Sequence, residues 1–292
     1  MTTYYSPGAL TRVGLQTITG GVANTNLDIL SCSVGSKESL LQRNGIRGTR
    51  AKFDTDMRKG PQRIGGTITL EPSYTNLNVL MYLAVGTVAN TAEDLPAFNT
   101  VVCRGGVGNS IYTACKVSRL TISGTQGGIV SASVDVVGCT EVSGGVVDAP
   151  NSGIPYIMAD MALNLAATLR DIQNFTLVID NHIDAERFLN ANTLGQVVPL
   201  DRTVSLSVTL PYNDANAALY NQAVGGAAGK LALNNGTNGM SMSFGRLQLP
   251  AESVDIPGKT ELMMQLNMIA TKVSGSAINT TDDITYNAAT SV

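Results

Sequence analysis

The sequence predicts a mainly β protein made of two tandem copies of one unit, each copy carrying a flanking α-helix. Three observations lead there. Apolar and polar side chains alternate over five segments, a strand–turn–helix string occurs twice at a separation of 139 to 140 residues, and a further strand occurs twice at a separation of 132. At 292 residues the chain has room for one large domain or two of ordinary size.

The alternating segments are Ile64–Glu71, Ile129–Val137, Phe175–Ile179, Thr203–Leu210 and Leu262–Ile269. A period of two marks strands that bury one face. Clusters of Gly, Asn, Ser and Thr separate them at Gly86–Asn90, Arg104–Ser110 and Asn234–Gly239, supplying turn chemistry. Two segments read as helices. Asn76–Val85 sets Leu77, Leu80, Met81 and Ala84 on one face, with Thr75 as N-cap and Gly86 as stop. Ala215–Val224 follows Asp214 and ends at Gly225 in the same manner.

The repeat ties these elements together. Thr67-Ile-Thr-Leu70, a Pro–Tyr turn and a helix bearing Leu80, Val85 and Gly86 match Ser207-Val-Thr-Leu210, Pro211-Tyr212 and a helix bearing Leu219, Val224 and Gly225; the tyrosines fall one residue short. Val130, Ala132, Val134 and Val136 then match Leu262, Met264, Leu266 and Met268. Each of those strands follows a Gly-bearing turn and a shorter strand, Lys116–Ile122 or Arg246–Leu249. Two units are therefore expected, 1–150 and 151–292, joined at the Pro, Asn, Ser and Gly cluster Ala149–Ile154. Met1–Leu27 and Ser274–Val292 match nothing in the repeat and read as arms.

Composition narrows the function classes. Hydrophobic residues make up 43% and charged ones 14%, which excludes a disordered chain. A net charge of −3 gives no bulk attraction to nucleic acid. No apolar run reaches bilayer length, and the N-terminus lacks the basic and apolar regions of a secretion signal. Cys32, Cys103, Cys115 and Cys139 are too sparse for a disulfide scaffold and read as reduced thiols of a protein made in the cytosol.

Charge is unevenly spread. Residues 37–63 hold Lys37, Arg43, Arg47, Arg50, Lys52, Arg58, Lys59 and Arg63 against Glu38, Asp54 and Asp56, a balance of +5 that leaves −8 elsewhere. With poor alternation and three glycines, this stretch reads as a long exposed hairpin or loop. It is suited to gripping phosphates or to docking on the acidic surface of another copy. Phe53 is its one aromatic, too little for stacking on bases, and docking between copies is the favoured reading.

No catalytic constellation emerges. His182, the only histidine, lies in Asp180-Asn-His-Ile-Asp184 and reads as a turn residue. No Gly-x-Ser-x-Gly elbow accompanies it, and Asp180, Asp184 and Glu186 do not follow the order of an EF-hand loop. Gly105-Gly-Val-Gly108 lacks the Lys and helix of a phosphate cradle. No enzyme activity, metal or cofactor is expected.

The outward strand faces are distinctive. They carry Thr67, Thr69 and Glu71, then Ser131, Ser133 and Asp135 in the first copy. In the second they carry Thr203, Ser205, Ser207 and Thr209, then Glu261, Gln265 and Asn267. None is Lys or Arg, whereas an ordinary solvated face mixes both signs. A surface past which a polyanion must slide would look like this, because each added cation is a phosphate contact.

Several strings together resemble the bacteriophage tail tube proteins built from duplicated tube domains: Glu38-Ser-Leu-Leu-Gln-Arg-Asn-Gly-Ile-Arg-Gly-Thr49, Cys115–Gly124 running into Val130–Gly138, and Ile179–Asp184 followed by Arg202–Pro211. The resemblance spans most of residues 30–273. It implies a β-barrel or sandwich per domain flanked by one helix, with strands of neighbouring subunits joining around a lumen. Rings of three two-domain chains, or of six chains, would stack into a tube in the virion tail, assembled in the host cytoplasm, through which DNA passes into the host. Lys37, Arg43, Arg47, Arg50, Lys52, Arg58 and Lys59 would form the contact between rings, and the Thr/Ser/Glu faces would line the lumen. Further implied partners are tail terminator, tape measure and baseplate or tip proteins, and a sheath in contractile tails. The alternative is a duplicated β-sandwich that decorates a virion or cell surface.

Overall fold

A computed structural model describes residues 8–17, 25–45, 50–86, 95–105, 107–148, 153–213, 216, 219, 225–249, 261–273 and 283–289. The first half contributes β1 (Thr11–Thr17), β2 (Thr25–Leu27), β3 (Ile29–Cys32), β4 (Gly35–Gln42), β5 (Met57–Leu70), α1 (Tyr74–Val85), β6 (Phe98–Arg104), β7 (Asn109–Thr125), β8 (Ser131–Gly138) and β9 (Thr140–Ser143). The second contributes β10 (Met161–Leu165), β11 (Thr168–Arg170), β12 (Asn174–Asp180), β13 (Thr203–Pro211), β14 (Ala227–Asn234), β15 (Gly239–Gln248), β16 (Met263–Thr271) and β17 (Ile284–Ala289). Among the described residues these 17 strands form one connected sheet whose ladders are antiparallel.

The pairing pattern occurs twice. In the first half β1 pairs with β2 and β6, β6 pairs with the start of β7, and β9 lies on the other side of that start. The end of β7 pairs with β8, β8 with β5, and β5 with β3. In the second half β10 pairs with β11 and β14, β14 with β15, and β17 covers the start of β15. The end of β15 pairs with β16, β16 with β13, and β13 with β12. The element without a counterpart is β4, which extends the first copy through a hairpin with β5. The halves are stitched where Arg119–Thr125 of β7 run antiparallel to Asn174–Asp180 of β12.

Alternation governs burial as expected. Ala132, Val134 and Val136 of β8, Leu206, Val208 and Leu210 of β13, and Met264, Leu266 and Met268 of β16 are buried, while their neighbours in sequence face outward. These inward rows belong to one continuous core that runs across both halves. The helix α1 closes it with Leu77, Leu80, Met81 and Ala84, all fully buried. It begins two residues earlier than expected, because Ser73 rather than Thr75 is the extended cap and its carbonyl already accepts from Leu77 N at 2.9 Å. Of the second expected helix, Asn216 and Leu219 are described, both helical and buried; the rest lies outside the described residues.

The expected arms differ from the structure. The described part of the N-terminal segment is a 3-10 turn, Gly8–Leu10, followed by strands: β1 buries Val13 and Leu15 against β6 and β2. At the other end β17 pairs with β15 and buries Ile284. Both complete the pairing pattern of their half: β1 takes the place that β10 takes in the second half, and β17 the place of β9, although the paired segments share no sequence pattern. In the basic segment β4 and β5 pair as two long antiparallel strands with one register shift between Glu38 and Leu40, while residues 46–49 lie outside the described residues. Both faces of the outer part are open to solvent, so no burial demand imposes a period of two.

Candidate functional site

The outward positions of the stitched sheet align into rows. One row runs Thr69, Ser133, Thr121, Val178, Ser205 and Ile269 from β5 to β16. The next runs Ser131, Ser123, Thr176, Ser207 and Asn267, and a third runs Thr125, Asn174, Thr209 and Gln265. The predicted positions Thr67, Thr69, Ser131, Ser133, Asp135, Ser205, Ser207, Thr209, Gln265 and Asn267 all lie on these strands, partly or fully exposed. Glu71 and Glu261 flank strand ends instead, one residue after β5 and two before β16.

Several hydroxyls on this face bond to a cross-strand neighbour. Ser31 Oγ and Thr69 Oγ1 are 2.7 Å apart, Ser123 Oγ and Ser131 Oγ 3.0 Å, and Ser207 Oγ donates to Asn267 Oδ1 at 2.5 Å. Such cross-strand pairs use donors that would otherwise be offered to a ligand.

A fourth row, Thr67–Asp135–Arg119–Asp180–Thr203, carries the charge. Thr67 Oγ1 donates to Asp135 Oδ1 at 2.6 Å. Arg119, the one basic side chain in the four rows, stands between Asp135 and Asp180 and approaches the Asp180 carboxylate at 3.8 Å. The residues of β7 and β12 on this face were missed from sequence. Arg119, Thr121 and Ser123 do alternate with Leu120 and Ile122, but only the β7–β12 pairing joins them to the other faces.

The basic segment is the β4–β5 hairpin. Lys37 on β4 faces Arg63, Lys59 on β5 faces Leu40, and Arg58 faces Leu41. Arg43 N donates to Asp56 O at 2.8 Å where the two strands meet the tip, and Asp56 Oδ2 accepts from Phe53 N at 3.1 Å. Arg43, Arg50, Lys52 and Arg58 are exposed, and Lys59 is exposed beside Glu38 at 3.3 Å; Arg47 lies outside the described residues. Composition drew attention to the cations, yet the hairpin also exposes Leu40, Leu41, Phe53 and Met57, by 46 to 67%.

A strap from the second half grips the hairpin root. Glu186 pairs with Arg63 through two oxygens, at 2.9 and 2.5 Å, and the Arg63 guanidinium lies 5.5 Å from the ring centre of Phe188. Gln62 N donates to Asn192 O at 2.6 Å, and Asn192 Nδ2 donates to Lys59 O at 3.2 Å. Beneath, Leu194 and Val197 form a small apolar cluster with Cys139. The guanidinium holds the Glu186 carboxyl below its ordinary range.

His182 is the turn residue expected. Its backbone is left-handed (φ 40°), its N donates to Asp180 Oδ1 at 3.0 Å, and its Nδ1 lies 2.9 Å from Asp201 O. Among the described residues no cluster of His, Cys, Asp and Glu is placed to hold a metal, and no helix is long and apolar enough to cross a membrane. Residues 8–288 match the family model described as phage tail tube protein. No curated protein matches the chain.

Proposed function

The chain belongs to the phage tail tube protein family, and on that premise we propose that copies of it self-assemble into stacked rings around a lumen lined by the four polar rows. The family is structural, and membership makes the chain a virion component. The observation that carries the reading is the continuity of the Ser/Thr rows across both halves, with Arg119 set between two aspartates. DNA passing such a face toward the host meets short hydroxyls and carboxylates, and its one cation, Arg119, is set between two aspartates.

The doubled pairing pattern supports reading the halves as two tube domains, 1–150 and 151–292, each completing a barrel or sandwich with strands of its neighbours. Edge strands of such a sheet are covered when a neighbouring copy pairs with them. Three such chains supply six domains per ring; six chains supply twelve. The hairpin residues Lys37, Arg43, Arg47, Arg50, Lys52, Arg58 and Lys59 reach the adjacent ring, whose surface outside the hairpin is acidic. Terminator, tape measure and tip proteins would meet the ends and interior of the tube.

Electron microscopy of the purified chain tests this directly. Stacked rings or tubes are expected, with three or six chains per ring. Particles that stay monomeric at high concentration and at every ionic strength overturn it.

A further inference from the structure

The hairpin and an apolar groove sit at opposite ends of the same sheet. Strand β5 runs from Met57 at the hairpin to Leu70, which faces Ala132 of β8. Over 14 residues that separation is about 43 Å at the usual strand rise. Just beyond Ala132 the β7–β8 turn meets the start of the second half, where Ile129 and Ile157 form a β-bridge. Between them opens a groove of about 350 Å³ lined by Gly128, Ile129, Ile157, Met158, Ala159 and Ile172. Ile129 and Ile157 are 45 and 43% exposed and lie side by side across that bridge, so they form one contiguous apolar patch. The rim is acidic: Asp171 is exposed beside Ile172, and Asp160 accepts from Ile157 N at 3.0 Å.

Resting on the stacking read above, we infer that this junction groove is the acceptor for the hairpin of a second copy. The hairpin offers Leu40, Leu41, Phe53 and Met57 flanked by Arg43, Arg58 and Lys59, matching apolar floor to apolar tip and acidic rim to basic flank. Among the described residues β4 and β5 form the one hairpin of this kind, and each copy offers the junction groove to it, so one hairpin meets one acceptor. Complementary surfaces at opposite ends make a head-to-tail contact that propagates as a filament rather than closing on itself. The groove draws on both halves, the turn Gln126–Ile129 from the first and Ile157–Ile172 from the second. A copy therefore presents its acceptor only when its halves are stitched together. In this contact the apolar side chains hold the copies together and the charges set approach and register.

The test mixes two full-length variants, one with cysteine in place of Leu40, Leu41 or Phe53, the other Ile157→Cys, and treats the mixture with a short bismaleimide. Wild-type protein controls for the four native cysteines, and circular dichroism checks each fold. A covalent dimer is expected from the mixture, and its loss when the acceptor variant also carries Ile129→Asp. Tubes that form from the mixture without the cross-link overturn the acceptor assignment and leave the tube reading standing. A cross-linked pair without tubes supports the docking and overturns the tube reading. Absence of both overturns both.

Discussion

Arg63 and Glu186, 123 residues apart in the chain, meet in a two-pronged ion pair at the root of the hairpin. The pair offsets a local conflict, since Lys37 stands directly opposite Arg63 across the β4–β5 ladder and like charges there oppose pairing. It also places the hairpin's base under the control of the other half of the molecule.

The clasp should respond to charge, salt and acid. In Glu186→Gln the amide of Gln62, which donates to Asn192, is expected to exchange with solvent faster than in the wild type, while core amides of β13 stay unchanged. Because Arg63 lowers the folded carboxyl below its ordinary 4.5, the clasp is intact above that value and is lost as pH falls through the lowered one. Hydrogen exchange across that range and in high salt checks it; Gln62 protection indifferent to both would deny the clasp its role.

Gly66 marks where the hairpin leaves the body of the sheet, and a side chain there has no room. With φ at +156°, a Cβ would lie 2.5 Å from Ser33 O and 2.6 Å from Val34 Cα, both backbone atoms that cannot turn aside. Gly66→Ala is expected to cost on the order of 1–3 kcal/mol in stability. Gly127→Ala, in a turn with nothing within 4 Å, should act only through its backbone strain and cost less. Thermal denaturation of both variants makes the comparison.

Where burial imposes a period, the sequence announces the strand. Thr203–Leu210 is legible because Val204, Leu206, Val208 and Leu210 must enter the core. Strand β14 hides in Ala227–Asn234, since its alternation is carried partly by Ala and Gly, whose inward and outward positions look alike. The polar face was legible strand by strand through its missing cations. Its continuity was not, because register between β7 and β12 is a matter of pairing across the halves and leaves no mark in either segment alone. The apolar hairpin tip was overlooked for a related reason: Leu40 and Leu41 are adjacent and obey no period when neither face is buried.

The shared core predicts one unfolding transition. Leu177 of β12 is fully buried and lies opposite Ile122 of β7 and Leu206 of β13, so it touches the seam from both sides. Leu177→Ala should destabilise by roughly 2–5 kcal/mol and shift the whole transition rather than split it. Calorimetry that resolves two transitions in the wild type, with only one moved by the substitution, would refute a common core.

Stability should fall in alkali through the buried thiol of Cys115. Burial pushes its pKa up to about 11 from an ordinary 9.0, and Tyr156 is likewise pushed up to about 12 from 10.0. The unfolded chain releases the Cys115 proton from pH 9 upward while the folded chain keeps it. Its contribution is therefore complete below pH 9 and disappears as pH rises through 11. Denaturation midpoints measured from pH 8 to 11 should decline, and Cys115→Ala should flatten that decline even though the cavity lowers stability at every pH. An equal slope in the variant would assign the alkaline loss elsewhere.

The polar face makes the sharpest functional prediction, because it can be altered without touching the core. Ser133 and Ser205 are partly exposed and stand in one row on opposite sides of the seam. Lysine at both positions would add two phosphate contacts per chain, repeated around and along the tube, and each such contact strengthens binding in low salt. Asp180→Asn reaches the same end differently, by removing one of the two carboxylates beside Arg119 and leaving more of its charge on the polar face. Phage carrying either change are expected to assemble tails of normal length and to eject DNA more slowly, with the delay shrinking as ionic strength rises. Ejection at the wild-type rate in low salt from the doubly substituted tube would mean that these rows do not face the DNA.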